Sequence, residues 1–173
     1  YAPTSNPIGP SALNLDGLTC AEMTIKDIQA FPTQCAQTAK LAQEAGFGGV
    51  QIHAAHGFLL SQFLSPLFNK RTDVYGGSIA NRMRILLAAI TATRAAVGPS
   101  FPIAVKLNSS DQLEGGLSED DALEVIKALD TTSVDLIDIS GGTYFPGAKS
   151  ASGSAGSGPY FLTFARKARP LTS

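Results

Sequence analysis

Apolar residues recur along this chain at helical spacing in three stretches, with short β-branched runs between them. Ser78 stands ahead of Ile79, Met83, Leu86, Ile90, Thr93 and Val97, and Gly98-Pro99 follows, which predicts one long helix capped by the serine and stopped by the glycine. Ser118 with Asp121 forms a second cap, ahead of an inner face of Ala122, Val125, Ile126 and Leu129. Thr24 followed by Asp27 fits a capping box for a third helix running toward Ala45, with Pro32 expected to break or restart it. Between them, 48–53, 102–107 and 134–140 read as strands. Residues 1–16, rich in Pro, Ser and Asn, read as a surface loop; 141–159, dominated by Gly and Ser, as a long loop before a basic helix at 161–169.

Strand, helix, strand, helix, strand is the order of βαβ units and a parallel sheet, so the fold class is α/β. Three parallel strands cannot close a barrel, and an open sheet of three leaves two bare edges, so neighbouring chain is expected beyond this one. The bland alternative is a doubly wound sheet. Against it, no GxGxxG follows any of the three strands, and polar residues gather where the strands end, as they do in barrels.

Composition narrows the partners. A net charge of −1 offers no polycationic surface for phosphate backbones or anionic lipid, so neither nucleic acid nor membrane is an expected partner. The longest apolar run, Ile85 to Ile90, falls far short of the roughly 20 residues a membrane-spanning helix needs. No charged start followed by an apolar stretch marks a signal peptide, although the chain begins at Tyr1 rather than Met. Cys20 and Cys35 lack CxxC spacing and read as reduced thiols, which places the chain in a reducing compartment, the cytoplasm.

The chemistry-bearing residues are few. Both histidines of the chain, His53 and His56, fall just past the first parallel strand, where barrel active sites collect. They read either as zinc ligands, for which no further ligand stands at suitable spacing, or as paired donors that polarise a carbonyl oxygen and stabilise negative charge developing on it. Lys106 shares a strand face with Ala104, opposite Val105 and Leu107. If the latter pair faces the helices, Lys106 points into the barrel, where it serves a site or, as a Schiff-base lysine, an aldolase.

The run Ala45-Gly46-Phe47-Gly48-Gly49-Val50-Gln51-Ile52-His53-Ala54-Ala55-His56-Gly57 continues through Gln62-Phe63-Leu64-Ser65-Pro66 to Asn69-Lys70-Arg71-Thr72-Asp73-Val74-Tyr75-Gly76-Gly77-Ser78 and Asn81-Arg82. It resembles the old yellow enzyme, or NADH:flavin oxidoreductase, family over most of the chain, from the Ala-Pro near its start to the Ser-Gly-Gly at 140–142. The resemblance implies a (β/α)8 TIM barrel of which this chain supplies only the central βα units, residues 1–173 being a central fragment of a single FMN-binding domain. It implies FMN as cofactor, NAD(P)H as reductant, and hydride transfer from flavin N5 to an activated alkene or related small electrophile, nicotinamide and substrate alternating in one pocket.

By that resemblance His53 and His56 hold the substrate's carbonyl or nitro oxygen, and Lys106 lies against N1 and the C2 oxygen of the flavin, where many members carry Arg. Asn69, Arg71, Asp73 and Tyr75 are expected to hold their loop by charge-assisted hydrogen bonds. The ene-reductases of the family usually place a proton-donating Tyr where this chain has Phe58, a substrate-contacting position without an acidic proton; Tyr75 and Tyr144 are the substitutes considered. A barrel of this kind takes about 250 residues, with its phosphate site after strands seven and eight, so this piece alone is expected to bind FMN poorly. Two rivals stand beside the flavoenzyme: a catalytically silent fragment or divergent homologue, and the lysine aldolase. Self-association is left open.

Overall fold

The computed structural model describes residues 7–15, 18–145 and 161–173. Elements follow in the order β1 (Ile8–Gly9), β2 (Leu13–Leu15), β3 (Leu18–Glu22), α1 (Ile25–Glu44), β4 (Val50–Ala54), α2 (Leu59–Leu64), α3 (Ile79–Arg82), α4 (Arg84–Val97), β5 (Ile103–Asn108), α5 (Glu119–Asp130), β6 (Leu136–Ser140) and α6 (Leu162–Ala168), with a 3-10 turn at Arg169–Leu171. β4, β5 and β6 form a parallel sheet in that order, with His53, Lys106 and Asp138 in one row of the register. The three expected parallel strands are present, displaced by one or two residues at their ends.

The alternation along these strands separates two environments. Ile52, Ala54, Ile103, Val105 and Leu107 turn to one side and are buried in a core with Ile85, Leu86 and Ile90 of α4 and Val125, Ile126 and Leu129 of α5. Each fully buried aliphatic side chain contributes roughly 1.5–3 kcal/mol. Val105 and Leu107 therefore face the helices, and Lys106 faces the open side as the alternation required.

The helix caps are as the sequence predicts. Thr24 Oγ1 accepts the backbone N–H of Asp27 while the Asp27 carboxylate accepts from the Thr24 backbone, closing the capping box; Ser78 and Ser118 cap α3 and α5. Pro32, however, does not break α1, which runs unbroken over 20 residues. An interior proline costs about 3 kcal/mol through one lost hydrogen bond and a clash. Ile28 and Ala39, buried on either side of it, and packing against α4 hold the helix together. The single helix expected from Ile79 to Val97 is instead two, because Met83 adopts φ −82°, ψ −8° between α3 and α4. The hydrogen bonds Met83 N to Ile79 O and Leu87 N to Met83 O carry the chain through that kink.

The expected loop at 1–16 is also corrected. Its described part contributes β1, which pairs parallel with β3, and β2, which pairs antiparallel with β3. Of the loop expected at 141–159, the residues from 146 onward lie outside the described ones, whereas the C-terminal helix is present as α6. The short helix α2 has no counterpart among the predicted elements.

Two buried arginines brace the long connection between β4 and α4. The Arg71 guanidinium donates to the carbonyls of Pro10 and Met23, clamps Asp73 at 2.6 Å and reaches Glu22 at 3.1 Å, so it ties the N-terminal strands to the loop. Asp73 in turn accepts from the Tyr75 backbone, a charge-assisted bond of the expected kind, whereas Asn69 holds the loop through neutral hydrogen bonds to the carbonyls of Phe63 and Tyr75. Gly76 packs so close that an added Cβ would stand 2.0 Å from the Arg71 carbonyl oxygen. Arg82 donates to the carbonyls of Leu64 and Gly77 and pairs with Asp121 at 2.8 Å, joining α2, the loop and α5. Replacing Arg82 by Met orphans these partners, and roughly 3 kcal/mol of stability is expected to be lost, read as a lower urea midpoint at unchanged slope.

Candidate active site

His56, just after β4, and Ser140, at the end of β6, stand at the carboxyl ends of the parallel strands, with His53, Lys106 and Asp138 in the row below and Gln51 further down the same open face. His53 projects from β4 toward that side, while the chain turns sharply after Ala55. His56 takes φ 62° and Gly57 φ 79°, a left-handed pair that swings the second imidazole back toward the first. The ring centroids lie 5.2 Å apart with planes at 82°. The strained turn is held from outside: the His56 N–H donates to Asn108 Oδ1 at 3.2 Å, Tyr144 N–H donates to the His56 carbonyl, and His56 bridges in parallel to Thr143. An added Cβ at Gly57 would meet the Phe145 ring at 3.1 Å and Thr143 at 3.3 Å.

Each ring has one nitrogen engaged. Ala55 N–H donates to His53 Nδ1 at 3.4 Å, so in the neutral ring the proton sits on Nε2. His56 Nε2 lies 2.6 Å from Ser140 Oγ at the end of β6. Burial pushes the pKa of both imidazoles below the ordinary histidine value. His56 and Lys106 add to this at His53; at His56, Lys106 lowers the pKa further and Asp138 partly offsets it. The pair is therefore neutral around pH 7, two donors rather than two cations.

Lys106 Nζ is hydrogen-bonded to Asp138 Oδ2, which also accepts from Gln51 Nε2 at 3.0 Å. That ion pair holds the Asp138 carboxyl below the usual carboxylate range. Phe58 packs against His53 at 4.8 Å between centroids and is half exposed. Tyr144 closes the other side, its ring 6.1 Å from His56 and 5.9 Å from Phe58. Tyr75, by contrast, packs against the core within its loop.

The structure thus brings together His53, His56, Phe58 and Lys106, all chosen from the sequence. It adds Gln51, Asn108, Asp138, Ser140 and Tyr144 as their partners, of which only Tyr144 had been considered. Among the described residues no group of three or more metal-binding side chains surrounds the histidines. No helix among them is long and apolar enough to cross a membrane. Cys20 and Cys35 are free thiols, both partly exposed.

A parallel α/β sheet in this order, with its helices on one face, is part of a known class of redox barrels. The chain belongs to the NADH:flavin oxidoreductase / NADH oxidase family, whose pattern matches residues 3–164. It is 42% identical over 163 residues to the NADH-dependent flavin oxidoreductase iliE of Neonectria sp. (strain DH2), a match covering 88% of this chain and 21% of that protein. The fold superposes on 2-naphthoyl-CoA reductase in complex with 2-naphthoyl-CoA at TM-score 0.85 and 31% identity, covering 95% of this chain and 26% of the other. On the old yellow enzyme from Pichia sp. AKU4542 the TM-score is 0.67 at 32% identity, covering 77% of this chain and 40% of that one. The chain spans less than half the length of each of these proteins. Its architecture is part of the old yellow enzyme (β/α)8 barrel, and FMN with NAD(P)H as reductant is the family's cofactor set, as the resemblance implied.

The depressed histidine pKa values have a direct consequence for stability. Because the unfolded chain takes up protons at the ordinary histidine value and the folded chain only at a lower pH, stability rises with pH between those two values and is flat above them. Chemical-denaturation midpoints measured across that window are expected to climb with pH, and the slope should shrink in the His53→Gln variant; a flat profile in both would contradict the desolvated pair.

Proposed function

We propose that residues 1–173 form the substrate-holding centre of a single FMN-binding barrel domain, in an NAD(P)H-dependent reductase that adds hydride to an activated C=C bond or a related small electrophile. The observation that carries this reading is the convergence of two neutral imidazoles, 5.2 Å apart, beside the Lys106–Asp138 pair on one open sheet face. Lys106 and Gln51 are hydrogen-bond donors on that face, and Ala104, paired with Gln51 in the register, is small, which suits a flat ring with acceptor atoms along its edge. When bound, FMN supplies a two-electron carrier that NAD(P)H recharges.

The residues of the chain divide the remaining work. His53 and His56 donate N–H bonds to one oxygen of the substrate and stabilise the negative charge that gathers there as the conjugated carbon accepts hydride. Preorganised donors of this kind lower a barrier because they need no reorientation as charge develops. Phe58 gives the pocket an apolar wall and no proton. Tyr144, on the opposite side of Phe58, is the phenol placed nearer to the histidines than Tyr75. Lys106, held by Asp138, is not in the apolar pocket that activates an aldolase lysine, and the lysine aldolase is set aside on that ground.

Titration with FMN of the complete barrel that carries these residues distinguishes this reading from a silent homologue: the flavoenzyme gives a yellow protein that bleaches on adding NADPH, whereas a colourless complete barrel indifferent to FMN sinks the proposal. In the flavin-loaded protein the double variant H53A/H56G is expected to weaken phenolate binding by on the order of 10² to 10⁴, the worth of two hydrogen bonds to a charged group. Glycine rather than alanine is chosen at 56 because the left-handed backbone there strains any Cβ. Phe58→Tyr supplies a general acid and is expected to raise the rate of enone reduction, by at most about 10² to 10⁴. An unchanged rate would mean that protons already arrive by another route.

A further inference from the structure

The neutral state of His56 leaves one ring proton to be placed, and its position decides what the ring can do. With the proton on Nε2, Nδ1 is a bare acceptor and repels a substrate oxygen. With the proton on Nδ1, the ring can donate to that oxygen. The only partner of either ring nitrogen of His56 among the described residues is Ser140 Oγ, 2.6 Å from Nε2. Ser140 is fixed by its own strand. It is the last residue of β6, paired in register with Asn108, and its carbonyl accepts the Ser109 N–H at 2.7 Å. The Ser140 Oγ thus approaches His56 from rigid backbone, placed by a single torsion, and its hydroxyl hydrogen is free to turn toward Nε2.

We propose that Ser140 is a positioning residue for His56: its hydroxyl donates to Nε2 and fixes the ring as the Nδ1–H tautomer. His53 is fixed the opposite way, its Nδ1 occupied by the Ala55 N–H and its Nε2 protonated. The two imidazoles then present different nitrogens as donors, one from a strand and one from the left-handed turn after it. With the ring planes 82° apart, two donors of different tautomer can reach a single oxygen from different directions. The direction of the Ser140 hydrogen bond, and with it the tautomer, is the one that lets His56 donate to a substrate oxygen, and so it rests on the function proposed above; the spectra below read the tautomer independently of that function.

The chain has only two histidines, so 15N-histidine labelling gives two ring systems, and the H53Q variant assigns them. Long-range proton–nitrogen correlation spectra, taken well above the ordinary histidine titration range, are expected to show Nδ1–H at His56 and Nε2–H at His53. In S140A, His56 should move to Nε2–H or to a mixture, and S140T, which keeps the hydroxyl, should restore Nδ1–H. An Nε2–H signal at His56 in the wild type overturns the assignment without any variant, as does a pure Nδ1–H signal persisting in S140A. Phenolate titration of the flavin-loaded S140A protein separates the two claims. A tautomer change accompanied by about tenfold weaker binding supports both, in line with one lost hydrogen bond. A tautomer change with unaltered binding upholds the role of Ser140 and removes His56 from the ligand's donors.

Discussion

A single buried amide, that of Asn108, holds the ends of three strands in place. Fully enclosed, it accepts the His56 N–H from the turn after β4 and donates to Asp111 in the loop after β5 and to the Gly142 carbonyl after β6. Asp111, equally enclosed, spends its other oxygen on the Leu117 N–H. In a low-dielectric interior each of these groups would cost about 1–3 kcal/mol if left unpaired, so the network forms as a whole or not at all. The left-handed conformation at His56 persists because this network fixes it from outside.

Around that clamp, the two-residue period of the sheet divides packing from chemistry. The face toward α4 and α5 carries only aliphatic side chains, while the opposite face carries Gln51, His53, Lys106 and Asp138 in adjoining rows. A one-residue slip of β5 would bury an ammonium and expose three aliphatic residues, Ile103, Val105 and Leu107, so the core energy fixes the register and the register fixes the site. The two arginine braces act at the next level. They hold the long connection after β4 against α2, α5 and the N-terminal strands, and so keep the histidine turn from drifting.

How much of this was legible beforehand depends on the range of each interaction. Caps spaced three residues apart and the four-residue rhythm of the helices are local, and Thr24, Ser78 and Ser118 all cap as read. The alternation around Lys106 was likewise enough to orient it. Pro32 misled because local propensity lost to packing along the whole of α1, and the N-terminal strands were passed over although Asp16-Gly17 between Leu13-Asn14-Leu15 and Leu18-Thr19-Cys20 is a hairpin signal. The partners of the site residues were out of reach for a different reason. Ser140 is 84 residues from His56, Asn108 is 52 from it, and Asp138 is 32 from Lys106; only the sheet register brings them together, and no spacing in one sequence reveals that.

The handedness of the backbone at position 56 limits what evolution or design can place there. Of the twenty side chains, glycine, asparagine, aspartate and histidine tolerate a positive φ with least penalty, whereas valine, isoleucine and threonine resist it. Any successor to this imidazole is therefore filtered first by torsion and only then by chemistry. Asparagine alone in that short list offers a neutral N–H as a replacement, so the chemical repertoire open to this turn is narrower than a bare pocket would suggest.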